Sequence, residues 1–160
     1  MVLKDQINDD LKAALLSGNR FAGEVLRGLK ATILDEEISQ KKRDEGLDDE
    51  TIEQLVAREI KKRNESAVIY DNANRPELAE SERAEAKVLG AYLPEQLSEE
   101  KIKEVIIRVI GELNASSPSA VGLPVLTISQ AGQVIGAVKK ELGNSADGAT
   151  IAKLVKDALN

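Results

Sequence analysis

The chain has 160 residues, of which 22 are basic and 28 acidic for a net charge of -6, and it contains neither Cys nor His. Those two absences exclude disulfide frameworks, thiolate zinc sites and Ser-His or Cys-His nucleophilic schemes, which need a sulfur ligand or an imidazole base. The negative balance repels a polyanion, so any nucleic-acid contact requires basic groups gathered on one face.

The opening residues MVLKDQINDDLK alternate charges instead of presenting a basic region followed by an apolar run. No later stretch approaches the roughly 18 apolar residues of a membrane span, so the expectation is a cytoplasmic protein without a membrane partner. Leu3, Ile7, Leu11 and Leu15 recur every four residues and stop before Gly18-Asn19, which predicts a first amphipathic helix. A second is predicted from about Arg20 to Asp44, with Leu26, Leu29, Ile33 and Leu34 as its stripe and Lys41, Lys42 and Arg43 near the negative end of its dipole. Asp48 suits the cap of a third helix carrying Ile52, Leu55, Val56, Ile60 and Ala67, which runs to the DNANRP turn.

Pro76 opens the fourth helix, where Leu78, Leu89 and Leu93 form a stripe with Glu82 and Glu85 close beside it. Two carboxylates near an apolar seam need partners, and Arg58, Lys62 and Arg63 on the preceding helix are the candidates for structural ion pairs. A paired-carboxylate acid/base site is the alternative. Pro94 within YLPEQLS ends this helix and sets a domain boundary, with domains at 1–97 and 98–160. The first holds 15 basic and 21 acidic side chains and the second 7 of each.

Beyond the boundary Ser98, Glu99 and Glu100 open a helix with Ile102, Val105, Ile106, Val109, Ile110 and Leu113 at helical spacing. Ser129 is the expected cap of a helix bearing Ala131, Val134, Ile135, Val138 and Leu142, and SADG precedes a last helix with Ile151, Leu154, Val155 and Ala158. The fold class is therefore all-α, a helical N-terminal domain of about four helices and a smaller C-terminal three-helix bundle. The one strand candidate, AVGLPVLTI at 120 to 128, is interrupted by Gly122 and Pro124.

The stretch from Arg58 to Glu100, REIKKRNESAVIYDNANRPELAESERAEAKVLGAYLPEQLSEE, together with AGQVIGAV and SADGATIAKLV, resembles the YqeY-like proteins. These are relatives of the tail of the GatB subunit of tRNA-dependent amidotransferases. The resemblance covers nearly the whole chain and implies two all-helical domains. It also implies RNA-facing positions at Gly132, Lys139, Lys140, Gly143, Asp147, Gly148 and Lys153, to which Lys156 adds a further cation. Gly148 at a helix start would let backbone N–H groups approach a phosphate, while Asp147 competes as a cap for the same groups.

The sequence departs from the family pattern at Gln133, Gly136, Asn144 and Ser145, where basic or small linking residues are usual, and it inserts AVGLPVLTIS between the fifth and sixth helices. Three functional readings follow. One is a non-catalytic binding module that touches tRNA or a translation-related protein; with Phe21, Tyr70 and Tyr92 as the sole aromatics, it would read phosphates and shape instead of stacking bases. The second is an accessory to glutamine-dependent carbon-nitrogen ligation, the label that the complete amidotransferase lends the family. It finds no Walker-type loop here, and Ser116, Ser117 and Ser119 read as turn residues. The third is a protein-interaction adaptor whose acidic helices bind a basic partner without RNA. No catalytic residue, cofactor or metal is assigned.

Overall fold

A computed structural model describes residues 2–116 and 128–160. Among the described residues the chain is all-helical, and its contacts divide it into two compact units, residues 1–94 and 95–160. Ser117, Pro118, Ser119 and the 120–127 part of the apolar insertion lie outside the described residues.

The first unit holds α1 (Val2–Leu16), α2 (Arg20–Ser39), α3 (Asp49–Asn72) and α4 (Pro76–Gly90). Leu3, Ile7 and Leu11 of α1 enter the core together with Val25, Leu26, Leu29 and Ile33 of α2 and Ile52, Leu55 and Val56 of α3. The fourth member of the α1 stripe does not: Leu15 is half exposed and lies over Gly23, while Ala14 takes the buried place. Gly18 turns the chain at φ 74°, and the Asn19 side chain accepts the Ala22 N–H at 3.1 Å to start α2.

The second helix ends at Ser39, five residues short of the expected Asp44. Lys41 adopts φ 57°, a left-handed conformation that a helix cannot continue, and the Lys42 N–H closes the end on the Glu37 carbonyl at 2.8 Å. The reversal serves Leu47, which is buried at 1% exposure, and it leaves Lys41, Lys42 and Arg43 in the connecting turn. Leu34 is also exposed. The seam runs Leu26, Leu29, Ile33 and then Glu37, a carboxylate only 2% exposed that is paired with the Lys4 ammonium of α1.

Asp48 caps α3 by accepting the Thr51 N–H at 2.8 Å, and these Thr51 contacts hold its carboxyl below the usual range. Pro76 begins α4 after a turn in which Asn74 sits at φ 55°. The α3–α4 hairpin is the most extensive helix pair of the chain. The fourth helix ends at Gly90, before the expected Pro94, because Tyr92 turns inward: it is 6% exposed and its hydroxyl donates to Asp10 at 2.8 Å.

Burial, followed by the Asp10 hydrogen bond and charge, holds the Tyr92 phenol well above its ordinary range. The folded state thus keeps this proton more tightly than the unfolded state does. The associated stability is complete below about pH 10, the unfolded phenol value, and declines as pH rises past it. In a Tyr70→Phe variant, absorbance titration should find the remaining tyrosine un-ionised at pH values where the urea-unfolded chain has fully titrated. Coincident folded and unfolded curves would contradict the buried Tyr92–Asp10 contact.

The second unit contains α5 (Glu99–Ser116), α6 (Ala131–Leu142) and α7 (Gly148–Leu159), each packed on the other two. Its core is Ile102, Ile106 and Val109 against Ala131, Val134 and Val138 and against Ile151, Leu154 and Val155. Ser98 starts α5, its carbonyl accepting the Ile102 N–H at 3.0 Å. Ser129 does not occupy the cap position of α6. It lies within a 3-10 turn, Ile128–Gln130, that enters the helix directly with Gln130 as the cap residue.

Candidate functional site

The sixth and seventh helices are joined by the 3-10 turn Gly143–Ser145 and by Ala146 and Asp147. Gly143 ends α6 at φ 53° and ψ -130°, a backbone that favours glycine, and its N–H closes on the Lys139 carbonyl. Ala146 is extended and buried, which delivers Asp147 to the start of α7. The Asp147 carboxylate accepts the Thr150 N–H at 2.9 Å and the Thr150 hydroxyl at 3.2 Å. Its carbonyl accepts the Ile151 N–H at 3.0 Å. Capping is therefore the role of Asp147, and it leaves the N–H groups of Gly148 and Ala149, which by position have no acceptor within the helix.

Lys139 comes to this same point. A Cβ built on Gly148 would lie 3.5 Å from Lys139 Nζ and 3.8 Å from its Cε, so the ammonium rests over the first residue of α7. A cation and the positive end of a helix dipole then stand side by side, and their fields add toward an anion. The Asp147 carboxylate, which caps α7, offsets part of that field, whereas Glu141 is paired elsewhere. Glu141, the acidic residue of α6, is engaged by Arg108 of α5. Arg108 also bonds Glu112 at 3.1 Å, and the two carboxylates hold its guanidinium charge still more firmly.

The remaining candidates extend the site along α7. Lys153 and Lys156 are exposed and share a stripe with Ala149 at i, i+4 and i+7 spacing. Lys140 is exposed on α6, one helical step round from Lys139. Gly132 and Gly136 lie on the same α6 stripe as Lys140, with open space where a Cβ would stand. Gly132 is seven residues from Lys139, about 10 Å along the axis, so the structure does not bring it to the turn.

The ion-pair candidates belong to the first unit. Of the three basic candidates Arg63 is the one that bridges Glu82 and Glu85 of α4, with Nη1 at 2.8 Å from Glu85 and 3.5 Å from Glu82. Lys62 instead pairs with Glu59 on its own helix at 2.6 Å, since one helical step turns it away from α4. It lines, with Arg58, a surface cleft of about 430 Å³ between α2 and α3. Glu82 and Glu85 are thus a structural pair clamped by one guanidinium. Among the described residues no group of three or more acidic side chains is placed to hold a metal, and no helix is long and apolar enough to cross a membrane.

Two features had no sequence signal. Gln96 and Leu97 of the YLPEQL segment bond the 143–145 turn, and Arg108 ties α5 to α6. Both join residues tens of positions apart, beyond the reach of periodicity or capping patterns.

Among known proteins the chain matches one family along nearly its whole length. A family model described as "Yqey-like protein" matches residues 4–159. The chain belongs to the YqeY-like family. Among the curated relatives of this YqeY-like chain is "Altered inheritance of mitochondria protein 41, mitochondrial" of Kluyveromyces lactis, 30% identical over 71% of this chain and 61% of that protein. The protein of the same name from Lachancea thermotolerans is 29% identical over 71% of this chain and 60% of its own length. That from Pyrenophora tritici-repentis is 26% identical over 99% of this chain and 81% of its own. The YqeY-like chain thus spans about three fifths of the first two relatives, whose names place those proteins in mitochondria.

Proposed function

We propose that this YqeY-like protein is an RNA-binding module that docks tRNA phosphates on the α6–α7 face of its second unit, without acting on the RNA chemically. One observation carries the reading: the Lys139 ammonium lies over Gly148, in the first turn of α7, whose leading N–H groups have no acceptor within the helix. Lys140, Lys153 and Lys156 supply further charge on the same two helices. The likeness to the GatB tail supports the same direction. Such a site recognises phosphate and shape and is indifferent to base sequence. It suits any compartment that translates, including the mitochondrial setting named for the relatives.

Four lysines set the magnitude. Release of counterions from about four phosphates gives a log–log salt slope near -3, so affinity should fall about 60-fold between 50 and 200 mM salt. Fluorescence titration of labelled tRNA checks this. Lys139→Ala should weaken binding and lower the slope by about one, to the same degree for unrelated tRNA sequences. Absence of salt-dependent binding at micromolar protein rules the reading out.

A further inference from the structure

The segment leaving Pro94 does not hang free before α5. The Leu97 N–H donates to the Ser145 carbonyl at 2.8 Å, and Gln96 Nε2 donates to the Asn144 carbonyl at 2.9 Å. Both acceptors lie in the 3-10 turn between α6 and α7, 48 residues away in sequence. The Leu97 side chain packs against the core of the second unit, which anchors the segment apolarly as well as through hydrogen bonds. From Ser145 the chain needs only Ala146 to reach the Asp147 cap, and Gly148 beneath the Lys139 ammonium follows at once.

We propose that residues 95–97 form a strap that positions the α6–α7 turn, so that strap and turn open and close as one cooperative unit. The Asn144 and Ser145 carbonyls both face the strap, and Gly143 contributes no side chain to the turn. If the Ser145 carbonyl is released, Asp147 and Gly148 are free to shift against Lys139, and the juxtaposition of ammonium and helix start is lost. Gln96 and Leu97 are positioning residues for that site. By linkage, a saturating ligand that binds the closed turn must lower the opening equilibrium of the strap by the factor by which the closed strap favours the ligand. What occupies the turn rests on the phosphate reading above, whereas the strap itself does not.

Amide hydrogen exchange on the full chain, followed by NMR, separates the two. Without RNA, the Leu97 amide should exchange as slowly as those of Thr150 and Ile151. Gln96→Ala, at an exposed position, should accelerate all three together by about three- to tenfold. Gln96→Glu, which keeps the shape but removes the donor, should do so at least as strongly. Ile106 and Val109 in α5 should keep their rates, a selectivity that general destabilisation would not produce. Free exchange at Leu97 beside a protected Ile151, or unchanged turn amides in Gln96→Ala, overturns the strap. Equal acceleration at Ile106 overturns it too. Adding tRNA to the wild-type chain should slow Leu97 further; failure of tRNA to bind counts against the phosphate reading and leaves the exchange result for the strap intact.

Discussion

Ile52→Ala is expected to lower the stability of the first unit by about 3 kcal/mol, the middle of the range for deleting a buried isoleucine side chain beyond Cβ. Ile52 has no exposed surface and sits in the cluster that joins α1, α2 and α3 with Leu47. The loss combines the transfer free energy of the removed carbons with the cavity left among neighbours from three helices, which cannot all close in. Ile107→Ala supplies the contrast, because Ile107 is 67% exposed and its truncation should change stability by less than about 0.5 kcal/mol. The chain offers a convenient probe. Tyr70 and Tyr92 both lie in the first unit and there is no Trp, so tyrosine fluorescence during urea unfolding reports that unit while circular dichroism reports both. A fluorescence transition that Ile52→Ala leaves in place would contradict the core described here.

Lys4→Met is expected to cost the first unit about 2–3 kcal/mol, and adding Glu37→Leu to it should restore most of that loss. The reasoning turns on asymmetry. Glu37 is 2% exposed, so removing its ammonium partner strands a carboxylate where water cannot replace the cation. The penalty is placed below that of a fully interior pair because the Lys4 side chain keeps 29% of its surface in solvent. When both charges go, the position becomes an ordinary apolar seam site in line with Leu26, Leu29 and Ile33, and the desolvation cost disappears with the attraction. The double variant should therefore lie within about 1 kcal/mol of the parent. A single variant no less stable than the double would show that Lys4 does not compensate Glu37.

Where a feature depends on a few adjacent residues, the sequence is sufficient to reveal it. Asp48 and Asp147 cap helices through the N–H three residues on, and Pro76 starts one, because each effect is completed within a single turn of chain. The end of α2 is different. A lysine takes a left-handed conformation there so that Leu47 can be buried, and neither the choice of Lys41 nor the demand of Leu47 is written in local propensity. The exchange of Leu34 for Glu37 on the α2 seam has the same origin, since it requires Lys4 of another helix. At the candidate site, Lys139 and Gly148 are each visible in the sequence as members of a family pattern. Their meeting depends on how α6 packs on α7. The role of Gln96 and Leu97 depends on a contact across 48 residues, which no pattern in the linker discloses.

Docking of this YqeY-like chain on phosphate through the α6–α7 face, as proposed, is tested most directly by amide chemical-shift mapping with tRNA. Added to the full chain at low salt, tRNA should perturb Gly143, Gly148 and Ala149 and the backbone around Lys139 and Lys153, and the changes should fade as salt is raised. Perturbations confined to residues 2–94, or shifts at the turn that persist undiminished at high salt, would contradict it.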